Sequence, residues 1–170
     1  RMMETGKQNT SLAGLFGLPY VLVRKPKPID TTTLNYNWQM WDTNAFSLYT
    51  TETDLIDETS ARQAVSAVLR FLTRMGMLKY QIHNGFIANV IQEEELTSVR
   101  TGAGGIYRRL CRPGDEVQMG TPLAEILHPY EGNVVMTVLS PTEGIVFFTH
   151  KKPLVTEHEV ICRIIRRLHG

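Results

Sequence analysis

Apolar residues fall along this chain in two textures, and the change comes near Lys79. Before it, Tyr20-Val21-Leu22-Val23 is an unbroken apolar run entered through Gly17 and Pro19, the pattern of a strand buried on both faces. Residues 25–42 lack such order. Pro26, Pro28 and three threonines lead into Leu34-Asn-Tyr-Asn-Trp-Gln-Met-Trp41, which reads as an irregular loop. Ala45–Thr50 is a second short strand candidate. Ala61, Ala64, Val65, Val68, Leu69, Leu72 and Met75 recur at three- and four-residue spacing, predicting an amphipathic helix that Asp57 or Ser60 caps and Gly76 stops. Strand, strand, helix is the tail end of an α/β layer, too little to close a doubly covered sheet alone.

Beyond Lys79, short β-rich runs alternate with turns such as Thr101–Gly105, Arg112–Asp115 and Ser140–Gly144. Here the sequence repeats itself. Gly105-Ile106 opens one unit and Gly144-Ile145 the other, and the spacing of Val117, Gly120, Leu123 and Ile126 returns in Val155, His158, Ile161 and Ile164. Pro113 and Pro153 each stand in a turn of their copy. Two such copies, about 105–126 and 144–164, predict interlocked β-halves that share one core. The expected domains are therefore 1–80, incomplete α/β, and 81–170, all-β.

Composition narrows the function classes. Of 170 residues, 42% are hydrophobic and 21% charged, the balance of a globular protein, and a net charge of +1 gives no electrostatic case for nucleic acid or a membrane surface. Arg1–Thr10 is polar and lacks the apolar core of a signal peptide, which points to the cytoplasm. Cys111 and Cys162 have no metal-ligand spacing and read as buried thiols. The chain begins with arginine and is read as a piece of a longer one.

The β-rich part, with GGIYRRLCRPGDEVQMGTPLAEI, VLSPTEGIV and PLVTEHEVICRI, resembles the barrel-sandwich hybrid of biotinyl and lipoyl carrier domains. Carriers place a modified lysine on the hairpin between the halves. That slot falls here at about Asn133, and no lysine lies between Leu123 and His150, so neither biotin nor lipoate is expected. Together with LAGLFGLPYVLV and IDETSARQAVSAVLRFL, the whole stretch from Leu12 to Ile165 resembles the succinylglutamate desuccinylase/aspartoacylase family of carboxypeptidase-like zinc deacylases. The resemblance implies a partial carboxypeptidase-like α/β/α layer followed by the barrel-sandwich domain. It also implies a small-molecule N-acyl substrate and a zinc ion whose ligands lie upstream of this chain.

In strict register the family's catalytic glutamate falls on Tyr49, with Glu52 three residues on. Either Glu52 reaches in from a rearranged loop or the base is lost, and Tyr49 donates a hydrogen bond to an oxyanion. Asn35, Asn37 and Trp38 are candidates to line a substrate pocket, the alternative being a loop anchored by its rings. His128-Pro-Tyr-Glu131 has the spacing of a ligand pair but sits on a proline-containing connection, where a solvated loop is expected. Arg108, Arg109 and Arg112 read as a solvated strand face. Two function classes remain open: part of a deacylase, or an inactive binding and assembly module of the same descent. An open sheet edge predicts pairing with the missing N-terminal half or with another copy.

Overall fold

A computed structural model describes residues 1–49 and 56–166. Contacts divide the chain into two compact units, Arg1–Glu93 and Glu94–Gly170. Glu52 lies outside the described residues, as do Thr50 and His169.

The first unit holds a three-stranded parallel sheet in the order β1 (Met2–Met3), β2 (Tyr20–Arg24), β3 (Asn89–Gln92). Met2 pairs with Val23, and Val21 with Val90. Met2, Met3, Val21, Val23 and Ile91 are buried, as residues of a parallel sheet should be. The segment 89–92 reads in sequence as part of the β-rich half. It belongs instead to this sheet, because a parallel partner for β2 must return from across a long connection.

Helix α1 (Thr10–Gly14) precedes β2, and a 3₁₀ turn over Pro28–Thr32 leads into α2 (Leu34–Met40). The stretch expected to be an irregular loop is thus largely helical. Its start signals are local: Pro28 stands in the first turn, Thr33 caps α2 by accepting from the amide of Tyr36, and Thr31 and Thr32 donate back to Pro28 and Ile29 carbonyls. Ala45–Tyr49 also departs from expectation. It forms no strand: Ser47 and Arg1 exchange two backbone hydrogen bonds, 2.9 and 2.7 Å, and no longer ladder follows.

Helix α3 (Glu58–Arg74) matches the predicted span. Asp57 caps it through Thr59 and Ser60 amides, and Gly76 follows with φ +74°. Its orientation does not match. Ser60, Ala67 and Arg70 are the buried positions, whereas Val65, Val68 and Met75 are 59, 41 and 41% exposed. The turning force is polar. Arg70 donates to the carbonyls of Phe16 (2.6 Å) and His83 (2.8 Å), and Arg74 to those of Leu15 and Asn84. Phe71 stacks on Phe16 at 4.4 Å between ring centroids, and Phe46 meets Phe16 edge-on at 5.5 Å. No helix among the described residues is long and apolar enough to cross a membrane.

The second unit consists of two four-stranded antiparallel sheets. Its strands are β4 (Leu96–Arg100), β5 (Gly105–Arg109), β6 (Glu116–Val117), β7 (Pro122–Leu127), β8 (Val134–Leu139), β9 (Gly144–Thr149), β10 (Leu154–Val155) and β11 (Val160–Arg166). One sheet runs β10-β5-β7-β8 and the other β4-β11-β9-β6, with no ladder joining them among the described residues, so there is no closed barrel. Between them lies one core containing Leu123, Ile126, Val146, Ile161 and Ile164, with Cys111 and Cys162 buried as free thiols.

The repeat read from sequence is a repeat of hydrogen bonds. Val155 pairs with Gly105 as Val117 pairs with Gly144. The Tyr107 amide donates to the Pro153 carbonyl as Val146 does to Asp115, and Gly120 donates to Ser140 as His158 does to Thr101. Gly105 and Gly144 are required by close approach: a β-carbon there would lie 2.4 Å from the Leu127 carbonyl oxygen or 2.1 Å from that of Ile165.

Candidate functional site

The carboxyl ends of parallel strands are where open α/β sheets bind ligands. In the first unit these ends are Met3, Arg24 and Gln92, and α2 packs beside β1. Asn35 and Gln39 lie one helical turn apart on α2 and share a face. The side-chain amide of Asn35 donates to the Ser47 hydroxyl at 3.1 Å, and that of Gln39 to the Met3 carbonyl at 3.3 Å. Both carbonyl oxygens, Asn35 Oδ1 and Gln39 Oε1, are buried and have no hydrogen-bond partner among the described residues. Gln39 thus reaches the end of β1, and Asn35 ties the same helix to the segment around Ser47.

Beside them, Arg24 and Asp30 form an ion pair, both residues more than nine-tenths buried. Asp30 also accepts from the Lys27 amide at 2.6 Å. The Arg24 hydrogen bond, followed by that amide, holds the Asp30 carboxyl below its ordinary range. This pair fixes the turn that launches α2. Sequence reading passed over Gln39, Arg24 and Asp30. Recognition of α2 as a helix would have exposed Gln39 through its four-residue spacing from Asn35.

The remaining candidates fall into separate places. Tyr49 follows Ser47 in the extended segment, is 64% exposed, and has the Arg1 guanidinium carbon 5.1 Å from its ring centre. Asn37 is spent on its own turn, donating to Thr31 and Thr33 carbonyls at 2.9 Å each. Trp38 is half exposed on α2. In the second unit His128 Nδ1 accepts from the Glu131 amide at 3.2 Å, so the His-x-x-Glu sequence closes the β7–β8 hairpin turn. Arg108 pairs with Glu125 across β5 and β7, its Nε at 2.7 Å. His150 is buried with Nε2 3.3 Å from the Leu154 carbonyl oxygen and its ring edge-on to Tyr107, whose hydroxyl burial pushes up to about 12.

Among the described residues no three His, Cys, Asp or Glu side chains converge, so they do not by themselves make a zinc site. No family model and no curated protein matches the chain by sequence. Its fold does match solved structures. The product-bound ectoine utilization protein EutE (DoeB) from Ruegeria pomeroyi superposes with a TM-score of 0.73 at 13% identity, over 91% of this chain and 47% of that one. The succinylglutamate desuccinylase/aspartoacylase from Rhodobacter sphaeroides gives 0.74 at 16% identity, over 95% and 49%. A succinylglutamate desuccinylase from Silicibacter sp. TM1040 gives 0.73 at 12%, over 91% and 47%. The chain spans about half the length of each. Its fold is that of the succinylglutamate desuccinylase/aspartoacylase proteins over about half of their length.

Proposed function

We propose that this chain is part of a zinc-dependent deacylase that hydrolyses the amide bond of an N-acyl amino acid or a related small molecule. The observation that carries this reading is the extent of the fold match, 91–95% of the chain, which takes in residues of both units. The zinc ligands belong to the part of the parent protein outside this chain. Within it, Asn35 is the candidate to meet the substrate, and Tyr49 holds the register of the family's general base, so that either Glu52 reaches in as the base or Tyr49 donates a hydrogen bond to an oxyanion. The exposed apolar stripe of α3, through Val65, Val68 and Met75, and the open parallel sheet are to be covered by the half that supplies the missing strands. We read the second unit as a barrel-sandwich hybrid, a reading its paired quasi-repeats support. Asn133, on the hairpin, has no amine to take biotin or lipoate. The cytoplasm is its proposed location.

The test is the native gene product. Near twice the 19.3 kDa of this chain, with about one zinc per polypeptide, it should release free amino acid from N-acyl amino acids. Glu52→Gln and Tyr49→Phe then assign the base. A zinc-free product without hydrolytic activity would overturn the enzyme and leave an assembly module. That second reading draws on one feature, a tyrosine stacked with Arg1 and turned to solvent at the position of the family's glutamate.

A further inference from the structure

The chain has two cysteines, Cys111 and Cys162, and neither takes part in the candidate site of the first unit. They come from opposite sheets of the second unit. Cys111 follows β5, where the Leu110 amide donates to the Leu123 carbonyl of β7 at 3.0 Å, and Cys162 lies within β11. Both belong to the core that the sheets share, Cys111 being 5% and Cys162 1% exposed. Strand alternation would turn Cys162 away from the core that its neighbour Ile161 enters. Instead the register of β11 slips, against β4 between Val160 and Cys162 and against β9 between Arg163 and Ile164, and both side chains are buried. The two thiols meet, Cys162 donating a hydrogen bond to the Cys111 sulfur. That bond holds the Cys111 thiol below its ordinary range, and the same bond with burial pushes the Cys162 thiol up.

We propose that Cys111 and Cys162 are a peroxide-responsive dithiol, in which Cys111 is oxidised first and Cys162 resolves it into a disulfide that ties the two sheets together. Hydrogen peroxide is the oxidant, small enough for thiols this buried. The Cys111 thiolate attacks one peroxide oxygen, the O–O bond breaks, and the departing hydroxide takes the thiol proton as water, leaving a sulfenic acid. The Cys162 sulfur then attacks the sulfenic sulfur, the S–O bond breaks, and the hydroxyl leaves as water with the Cys162 proton. Two thiols and one peroxide thus give one disulfide and two waters. A compartment that keeps thiols reduced leaves the pair open at rest. The staple restrains the unfolded chain over the whole stretch 111–162, so oxidation should raise the second unit's urea midpoint by about 1–2 M. The proposal uses only the second unit and is independent of the deacylase reading.

The test is peroxide treatment of the reduced, folded chain, followed by unfolding, alkylation of the remaining thiols and peptide mass mapping. Both free thiols should disappear within one chain, and a peptide cross-linked between Cys111 and Cys162 should appear and revert with dithiothreitol. Cys162→Ala should halt at the Cys111 sulfenic acid, trapped by dimedone as the chain unfolds, and Cys111→Ala should leave Cys162 unlabelled. Thiols that survive peroxide in the folded parent chain overturn the proposal, a result that needs no variant. So do disulfides that join separate chains, or dimedone found on Cys162 in place of Cys111.

Discussion

Gly144 opens β9 where a β-carbon would lie 2.1 Å from the Ile165 carbonyl oxygen and 2.8 Å from Cγ2 of Ile164. Ordinary contacts lie at about 3.5–4.0 Å, so Gly144→Ala requires the paired strands to separate by roughly 1 Å or more against a ladder spacing of about 4.8 Å. Gly144 is paired on both sides, with Arg166 of β11 and Val117 of β6. Losing two ladder bonds at about 1 kcal/mol each, plus overpacking of about 1–3 kcal/mol, gives a cost of about 3–5 kcal/mol. Gly132→Ala is the control. It has φ +72° but nothing within 4 Å, so only the left-handed backbone penalty of about 1–2 kcal/mol applies. Urea unfolding followed by far-ultraviolet circular dichroism reads the difference, while Trp38 and Trp41, both in the first unit, report that unit by fluorescence. With a slope of about 2 kcal/mol per molar urea, the second unit's midpoint should fall by about 1.5–2.5 M for Gly144→Ala. Gly105→Ala, whose β-carbon meets the Leu127 oxygen at 2.4 Å, should behave alike. Equal midpoints for Gly144→Ala and Gly132→Ala would refute the steric reasoning.

Other outcomes follow from single contacts. Asp30→Asn leaves the Arg24 charge buried without its partner and should cost about 3 kcal/mol by chemical denaturation. Because the folded-state pKa of Asp30 is depressed, its stabilisation is complete above the unfolded carboxylate value of about 3.9 and fades as pH falls through the folded value. An acid titration of stability should lose that component in Asp30→Asn. Asp57→Ala removes the α3 cap, with its bonds to Thr59 and Ser60 amides, and should cost about 1 kcal/mol in a thermal melt. His158 has φ +65° where the other repeat has Gly120 at +86°. His158→Gly should therefore raise the melting temperature, by up to about 1 kcal/mol of stability less the entropy glycine adds to the unfolded chain.

The elements legible in sequence were those whose cause is local. Tyr20–Val23 and the span of α3 were readable from apolar runs and caps, and the quasi-repeat from its glycines and isoleucines. The face of α3 was not. Its apolar stripe suggests burial, but Arg70 and Arg74 reach backbone carbonyls from another side of the helix, and those of Phe16 and Leu15 lie more than fifty residues away in sequence. Helix α2 was missed because two tryptophans and two prolines mask a short helix that Thr33 nonetheless starts. Asn35 is legible as a candidate, but its neighbour Gln39 is held by the Met3 carbonyl of β1, which two methionines do not announce as a strand. Asn37 illustrates the limit of composition: its amide satisfies its own turn.

In the second unit the first strand lies beside the last. Leu96 of β4 is opposite Ile165 of β11, so the chain enters and leaves the unit along neighbouring strands. Such a body is portable. A gene rearrangement that joins those two ends and opens the His128–Asn133 turn leaves every ladder in place, so a circular permutant should keep the fold. Neither repeat enjoys the same freedom alone, because each lends its short strand, β6 or β10, to the sheet that holds the other repeat's opening glycine. The unit can be moved as a whole between proteins, but it cannot be halved.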